Sequence, residues 1–340
     1  MLKRLLIIII IIFTGLVLYF LSRQPQPSSQ ILGEQIAPTA IPTPTPSLTT
    51  TPKPTPTPIP PRKTVQLGIV IDDYVSGSAV AELEKITGKK FATVSIFKQF
   101  GGGNSNLSQG DLSYIKNSGK KLLLAWEPWD PQAGNHQSRD YLQEINSGAQ
   151  DGYLDQFATA VKNYGGQVII RFGHEMNGNW YPWGNRPAEY ISAYRRIHGM
   201  FVSRGAANVR WMWSINAENV PPSPITAVRQ YYPGDAFVDI IGLDGFNFGT
   251  SQPGSVWRSF TAVFSPAYQY IAGYKKPIMI SEIGCAETGG DKAQWIRDMA
   301  GVLREKMPGI DEIVWFNLNK ETDWRIESSP RSQAAWKLAF

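Results

Sequence analysis

From Thr64 to the C-terminus, short apolar runs alternate with longer stretches whose apolar residues recur every three or four positions. The short runs predict buried strands over Val65–Ile71, Phe91–Phe97, Lys121–Trp126, Gln167–Phe172, Val209–Ile215, Val238–Leu243, Pro277–Ser281 and Glu312–Phe316. The periodic stretches predict helices near Ala79–Thr87, Leu107–Ser118, Gly148–Tyr164, Pro187–Arg204, Ser255–Ala272, Asp291–Lys306 and Ser329–Leu338. The link from Pro221 to Ala236 is Pro-rich and only weakly helical. Eight strands alternating with helices over about 275 residues is the arithmetic of an α/β fold of the (β/α)8, or TIM-barrel, type. A doubly wound sheet would usually carry a Gly-rich fingerprint after its first strand, whereas this chain continues Ile71-Asp72-Asp73-Tyr74.

Two segments precede this domain. Lys3 and Arg4 lead into a nearly unbroken apolar run from Leu5 to Leu21, followed by Ser22-Arg23. About seventeen residues is the short end of a bilayer span and longer than an ordinary signal-peptide core. The following SRQPQPSSQ offers no clear small-x-small cleavage site. Residues 1–24 therefore read as an uncleaved signal anchor with its basic end inside, which places the remainder outside the cytoplasm at the cell membrane. A cleaved secretion signal is the alternative. Residues 25–63 read as a linker: from Pro38 to Pro61, Pro and Thr alternate with almost nothing to bury, as in a polyproline II spacer. At about 3.1 Å per residue it could hold the domain of residues 64–340 on the order of 70 Å from a membrane.

In a (β/α)8 barrel, chemistry gathers at the C-terminal ends of the strands. Polar and aromatic residues appear there: Asp72 and Asp73 after the first strand, Trp126, Glu127 and Trp129 after the third, His174, Glu175 and Asn177 after the fourth. Asn216 follows the fifth, Asp244, Phe246 and Asn247 the sixth, Glu282 the seventh, and Trp315 and Asn317 the eighth. Ordinary turns would supply Gly, Ser, Asn and Asp, not this many Trp and Glu. Aromatic faces can stack on a pyranose ring while polar groups reach its hydroxyls, so the pattern points to a carbohydrate cleft. Asp72, Asp73 and Asp244 read as structural. Trp126, Glu127 and Asn216 join the candidate sugar contacts, with Glu127 equally able to tie its loop to Arg171 or His136. Gly101-Gly102-Gly103 lacks a following Lys-Ser/Thr, so it is a cleft rim and not a phosphate loop.

Composition narrows the classes further. The net charge of +5 is modest and its basic residues are scattered, which argues against a nucleic-acid surface. The single cysteine, Cys285, permits no internal disulfide and reads as a small buried residue, not a nucleophile. His174-Glu175-Met176-Asn177-Gly178 lacks the second histidine of a zinc-protease helix. No cofactor or metal is signalled.

Cleaving a glycosidic bond requires two carboxyl groups: one protonates the leaving oxygen, and the other attacks the anomeric carbon or activates water. Glu175 and Glu282 end strands that face each other across a barrel mouth, where a retaining mechanism wants their carboxyls roughly 5–5.5 Å apart. Glu175 would need a raised pKa, which the aromatic wall of Trp180 and Trp183 could supply by desolvation. Arg171, deeper on the same strand, is the candidate cation to keep Glu282 ionised.

GHEMNGNWYPW, with a second Glu in PIMISEIG, resembles glycoside hydrolase family 26 within the clan of retaining (β/α)8 glycosidases. The likeness extends from about Val65 to the C-terminus and includes EPWDP, WMWSIN, YPGD and IGLDGFN. The resemblance implies that Glu175 is the acid/base and Glu282 the nucleophile of a double displacement. It implies that His174 and Trp180 line the −1 subsite, that Arg171 lies near the nucleophile, and that Trp315 is the platform at the end of the last strand. Phe246 stands where relatives commonly have a tyrosine touching the nucleophile, which implies one hydrogen bond fewer and a lower rate. The implied activity is endo-β-1,4-mannanase, with β-1,3-1,4-glucanase or β-1,3-xylanase as alternatives. The expected partners are a β-linked polysaccharide and, through the anchor, a membrane; the expected state is a monomer. A non-catalytic cell-surface carbohydrate-binding barrel is the competing function, opposed by the presence of both carboxylates.

Overall fold

A computed structural model describes residues 64–71, 77–107, 109–134 and 136–340 of the chain. The anchor and linker expected over residues 1–63, and Asp72 and Asp73, lie outside these residues. Among the described residues no helix is long and apolar enough to cross a membrane.

Eight parallel strands close into a barrel in sequence order: β1 (Gln66–Val70), β2 (Thr93–Gln99), β3 (Lys121–Glu127), β4 (Val168–Phe172), β5 (Val209–Asn216), β6 (Ile240–Asn247), β7 (Ile278–Cys285) and β8 (Ile310–Phe316), with β8 pairing back to β1. Around them lie α1 (Gly77–Thr87), α2 (Gln109–Asn117), α3 (Tyr141–Ser147), α4 (Asp151–Tyr164), α5 (Pro187–Ser203), α6 (Phe260–Ile271), α7 (Lys292–Glu305) and α8 (Pro330–Ala339). The Pro-rich link between β5 and β6 holds only 3-10 turns, Ile225–Tyr231 and Asp235–Phe237. The helix expected over Gly148–Tyr164 is α4, and the short α3 before it has no counterpart in the sequence pattern. Asp140 caps α3 by accepting from the Gln143 N–H, and Gly148 ends it at φ +88°, a left-handed stop that favours glycine.

The period of two along each strand sorts side chains between two cores. Val70, Leu123, Ile169, Met212, Ile240, Met279 and Val314 form one cluster, which fills the lumen; their strand neighbours join the larger cluster beneath the helices. Phe316 and Trp324 continue the lumen cluster toward the mouth. Above these apolar layers the inward positions turn polar.

Two strands run further than their apolar stretches suggested: β6 to Asn247 and β7 to Cys285. Their pairing slips by one residue after Leu243, so that Leu243 opposes Ile280 while Asp244 opposes Glu282. Strict alternation would send Ser281 and Glu282 to opposite faces of the sheet. The bulge re-aims the chain, and both side chains reach the same buried polar cluster.

Candidate active site

At the centre of that cluster is Arg171, an inward residue of β4 with 0% exposure. Its Nη1 donates to Glu282 Oε1 at 2.5 Å, its Nη2 to Asp244 Oδ2 at 2.6 Å and its Nε to Ser214 Oγ at 3.0 Å. Ser214 donates to Asp244 Oδ2 at 2.7 Å and Ser281 to Asp244 Oδ1 at 2.7 Å. Asp244 is thereby saturated by one cation and two hydroxyls, and its role is to hold the guanidinium. A buried cation forked between two carboxylates is the geometry arginine provides and lysine does not. Burial opposes the charge on Arg171, but the charges of Asp244 and Glu282 more than offset this and raise its pKa.

Glu175 follows β4 and takes a left-handed backbone, φ +53°, which is uncommon for a residue with a side chain. Its N–H donates to the Ser214 carbonyl at 3.0 Å and its carbonyl accepts from Gly178 N at 2.9 Å, which hold that conformation. Both carboxyl oxygens have neutral donors: Asn216 Nδ2 to Oε1 at 2.9 Å and Trp180 Nε1 to Oε2 at 2.8 Å. Gly178 lets the indole lie across the backbone, since a Cβ there would run into the Trp180 ring. Asn177 ties this loop to the one after β5, accepting from Asn216 N at 2.8 Å and donating to the Asn216 carbonyl at 2.9 Å and to Asn219 Oδ1 at 2.9 Å.

His174 is buried between Phe97, Tyr181 and Trp183, and its Nε2 lies 3.2 Å from the Tyr181 hydroxyl and 3.8 Å from Glu127 Oε1. Burial, reinforced by the Arg171 charge, pushes its pKa well below the ordinary value and keeps the ring neutral. Glu127 accepts from Gln99 Nε2 at 2.6 Å and Trp129 Nε1 at 3.2 Å. It ties the third-strand loop to β2 and approaches His174, in place of the Arg171 or His136 partner expected. The rim after β2 joins the same network through Asn104, which donates to Gln99 Oε1 at 3.0 Å.

The two carboxyls facing the mouth differ in their surroundings. Burial pushes Glu175 up to about 7, with the charge of Asp244 adding to the shift and its hydrogen-bond donors opposing it. Burial also raises Glu282, against the attraction of Arg171. Two such groups titrate together, and a single proton is best placed on the one without a cation. Arg171 touches Glu282 and not Glu175, so its charge favours the carboxylate form of Glu282 more strongly.

Two expected sugar contacts lie elsewhere. Trp126 points outward from β3, stacked on Phe157 at 4.3 Å and edge-on to Phe201, under α4 and α5. Its neighbours Ala125 and Glu127 share the inward parity of Leu123, so Trp126 must face the helices. Trp315 points outward from β8 for the same reason, between Trp295 and Trp336, and its Nε1 donates to the Trp324 carbonyl at 2.9 Å. Trp324, from the loop after β8, is itself 1% exposed and packs on Phe246 and Phe248 with centroids 5.0 Å apart in each case. Phe246 itself faces the lumen against Phe316 and Trp324. Trp183 is fully buried behind His174, donating to its carbonyl at 2.7 Å, so of the expected aromatic wall only Trp180 touches Glu175. Trp126→Ala is expected to lose about 3–5 kcal/mol of stability in denaturant titration. Substrate affinity of the folded variant should stay unchanged; weakened binding at unchanged stability would return Trp126 to the cleft.

The sequence pattern at the strand ends does not point to Ser214, Ser281, Gln99 or Trp324. The serines had a legible signal: each is a polar residue inside an apolar strand, within one pleat of the Arg171 layer. Cys285 is buried beside Asn247, and burial raises its thiol to about 12, which suits a structural residue. Among the described residues, no group of three or more His, Cys, Asp or Glu side chains is arranged to hold a metal ion.

Comparison with known proteins bears on this arrangement. Endoglucanase H of Acetivibrio thermocellus is 37% identical over 286 residues, covering 81% of this chain and 30% of that protein. A mannan endo-1,4-beta-mannosidase of Bacillus subtilis is 30% identical over 163 residues, covering 44% of this chain and 39% of its own length. The chain thus spans about a third of the curated relatives it matches. The solved structure of a Bacillus subtilis mannanase aligns over 81% of this chain and 85% of its own with a TM-score of 0.60 at 21% identity, a likeness of fold. Residues 104–300 match the description Glycosyl hydrolase family 26, and the chain belongs to that family.

Proposed function

We propose that this protein is a retaining endo-glycosidase that cleaves internal β-linkages of a polysaccharide by double displacement. The observation that carries the reading is the partition of charge at the mouth: Glu282 has the Arg171 guanidinium at 2.5 Å, whereas Glu175 has only neutral donors. Glu282, kept ionised, attacks the anomeric carbon as Glu175 gives its proton to the departing oxygen. The bond formed is a glycosyl ester to Glu282; the bond broken is the glycosidic C–O. Glu175, now a carboxylate, takes a proton from water, whose oxygen displaces Glu282 and restores the original configuration. Asn216 and Trp180 orient the acid, and neutral His174 lies beside Tyr181 and Glu127, where sugar hydroxyls would be read.

For the substrate, a β-1,4-linked glucan backbone, plain or mixed with β-1,3 linkages, is the first reading. Its support is the match to Endoglucanase H, which runs over 286 residues. β-Mannan, implied by the sequence motifs and by the names of other relatives, is the second. Reducing-sugar release by the full chain on barley β-glucan, cellulose, glucomannan, galactomannan and β-1,3-xylan, beside Glu282→Ala, tests both. Release from a glucan that disappears in the variant supports the first reading, and release confined to mannans supports the second. Binding without release from any polymer would replace both with the carbohydrate-binding barrel. We also propose that residues 1–24 tether the barrel to a membrane through residues 25–63; recovery of the protein in the soluble fraction of carbonate-washed membranes would refute this.

The acid must be protonated, so kcat/KM should fall as pH rises through about 7, where Glu175 titrates. Trp180→Phe removes a donor that favours the charged form of Glu175, so the alkaline limb should move to higher pH. A limb that stays in place or moves down would assign it to another group.

A further inference from the structure

The first residue of α7 is Lys292, beside the capping Asp291. A cation there meets the positive end of the helix dipole, and burial adds a second cost that an apolar residue of similar size would avoid. The side chain is nonetheless 1% exposed. Its Nζ donates to the carbonyls of Asp323 at 3.3 Å, Trp324 at 3.1 Å and Arg325 at 2.8 Å, and to Ser328 Oγ at 2.9 Å. All four acceptors belong to the loop after β8. The Trp324 carbonyl also accepts from Trp315 Nε1, whose ring centroid lies 5.8 Å from the Lys292 ammonium. The Trp324 indole is pressed against β7 at Gly284, two residues beyond Glu282: a Cβ at that glycine would sit 2.9 Å from both Trp324 and Phe246. The loop backbone is thus clamped from behind the sheet while its indole stands over the strand that carries Glu282.

We propose that Lys292 is a positioning residue: with the Trp315 indole N–H, it fixes the loop after β8 so that the buried Trp324 backs the sugar site at Gly284, two residues beyond Glu282. The sugar site rests on the function proposed above; the clamp does not. A loosened loop would be reordered by the substrate as it binds, which weakens ground state and transition state alike, so KM should rise and kcat should not fall in step. Lys292→Met keeps the length and removes the donors; Trp315→Phe keeps the ring and removes one N–H.

The experiment uses the full chain. On a polymer that the wild type cleaves, Lys292→Met should raise KM about fivefold or more with kcat within about twofold, and Trp315→Phe should raise KM by about two- to threefold. In a Trp324→Phe background, Lys292→Met should add nothing further to KM, because both act through one indole. The Trp324 emission, obtained by subtracting Trp324→Phe, should become about threefold more accessible to acrylamide in Lys292→Met. Unchanged KM and unchanged quenching in Lys292→Met overturn the proposal, as does a full additional effect in the Trp324→Phe background. If Lys292→Met does not fold, the same pair of unchanged readings in Trp315→Phe overturns it. If the wild type cleaves none of the polymers, the proposed function fails, and quenching alone decides the clamp.

Discussion

Glu282→Ala is expected to lower kcat by about 10⁴-fold or more on any polymer the wild type cleaves, because no other carboxylate can form the glycosyl ester. Glu175 has no cation partner, and Asp244 is saturated by Arg171, Ser214 and Ser281, so neither can take over the attack. The variant also leaves room beside an unsatisfied guanidinium. Sodium azide should enter that space and, with an activated aryl β-glycoside, restore turnover by attacking from the same side as the missing carboxylate. The product should be the α-glycosyl azide, since a single displacement inverts. The corresponding Glu175→Ala protein should instead form its glycosyl-enzyme from activated substrates and stall at hydrolysis, and azide should give the β-glycosyl azide there. Wild-type-like activity in Glu282→Ala, or azide products of the opposite configurations, would exchange or remove the assigned roles.

Arg171→Met should have the second-largest effect, and on two observables. It deprives Asp244 and Glu282 of their shared cation while leaving both carboxylates buried, so the fold should lose about 3–5 kcal/mol in denaturant titration. Glu282 would then take up a proton more readily and would cease to be ionised at neutral pH. Residual activity should therefore rise with increasing pH over the range in which the wild type loses it. Arg171→Lys should recover little, because one ammonium cannot fork between two carboxylates and a hydroxyl. Stability within about 0.5 kcal/mol of wild type would show that the ion-pair network is not holding this layer of the barrel together.

The barrel was legible because buried parallel strands read as apolar runs and the helices between them as amphipathic ones; all eight strands lie where those runs fall. The Glu175, Glu282 and Arg171 constellation was legible because a charge at the end of a buried strand has little other use. Nearness along the chain to a strand end puts Trp126 and Trp315 at the mouth, and the family resemblance adds a platform role for Trp315. Their parity, set by Glu127 and Phe316 one residue later, sends them outward. The aim of Glu282 was not readable by any such count, since it depends on a one-residue slip between β6 and β7 that neither strand displays alone. Nor was the packing of Trp324 against β7: it sits in an irregular loop, and its place is set by carbonyl contacts to Lys292 and Trp315 from distant elements.

The central claim, that Glu282 forms a covalent bond with the sugar, is tested most directly by trapping that bond. An activated 2-deoxy-2-fluoro-β-glycoside slows both displacements but leaves a good departing group for the first, so the glycosyl-enzyme accumulates. Mass spectrometry of the full chain after incubation should show one added fluoro-sugar, and digestion should place it on Glu282. A label on Glu175, or no label from a protein that releases α-configured product, would contradict the account.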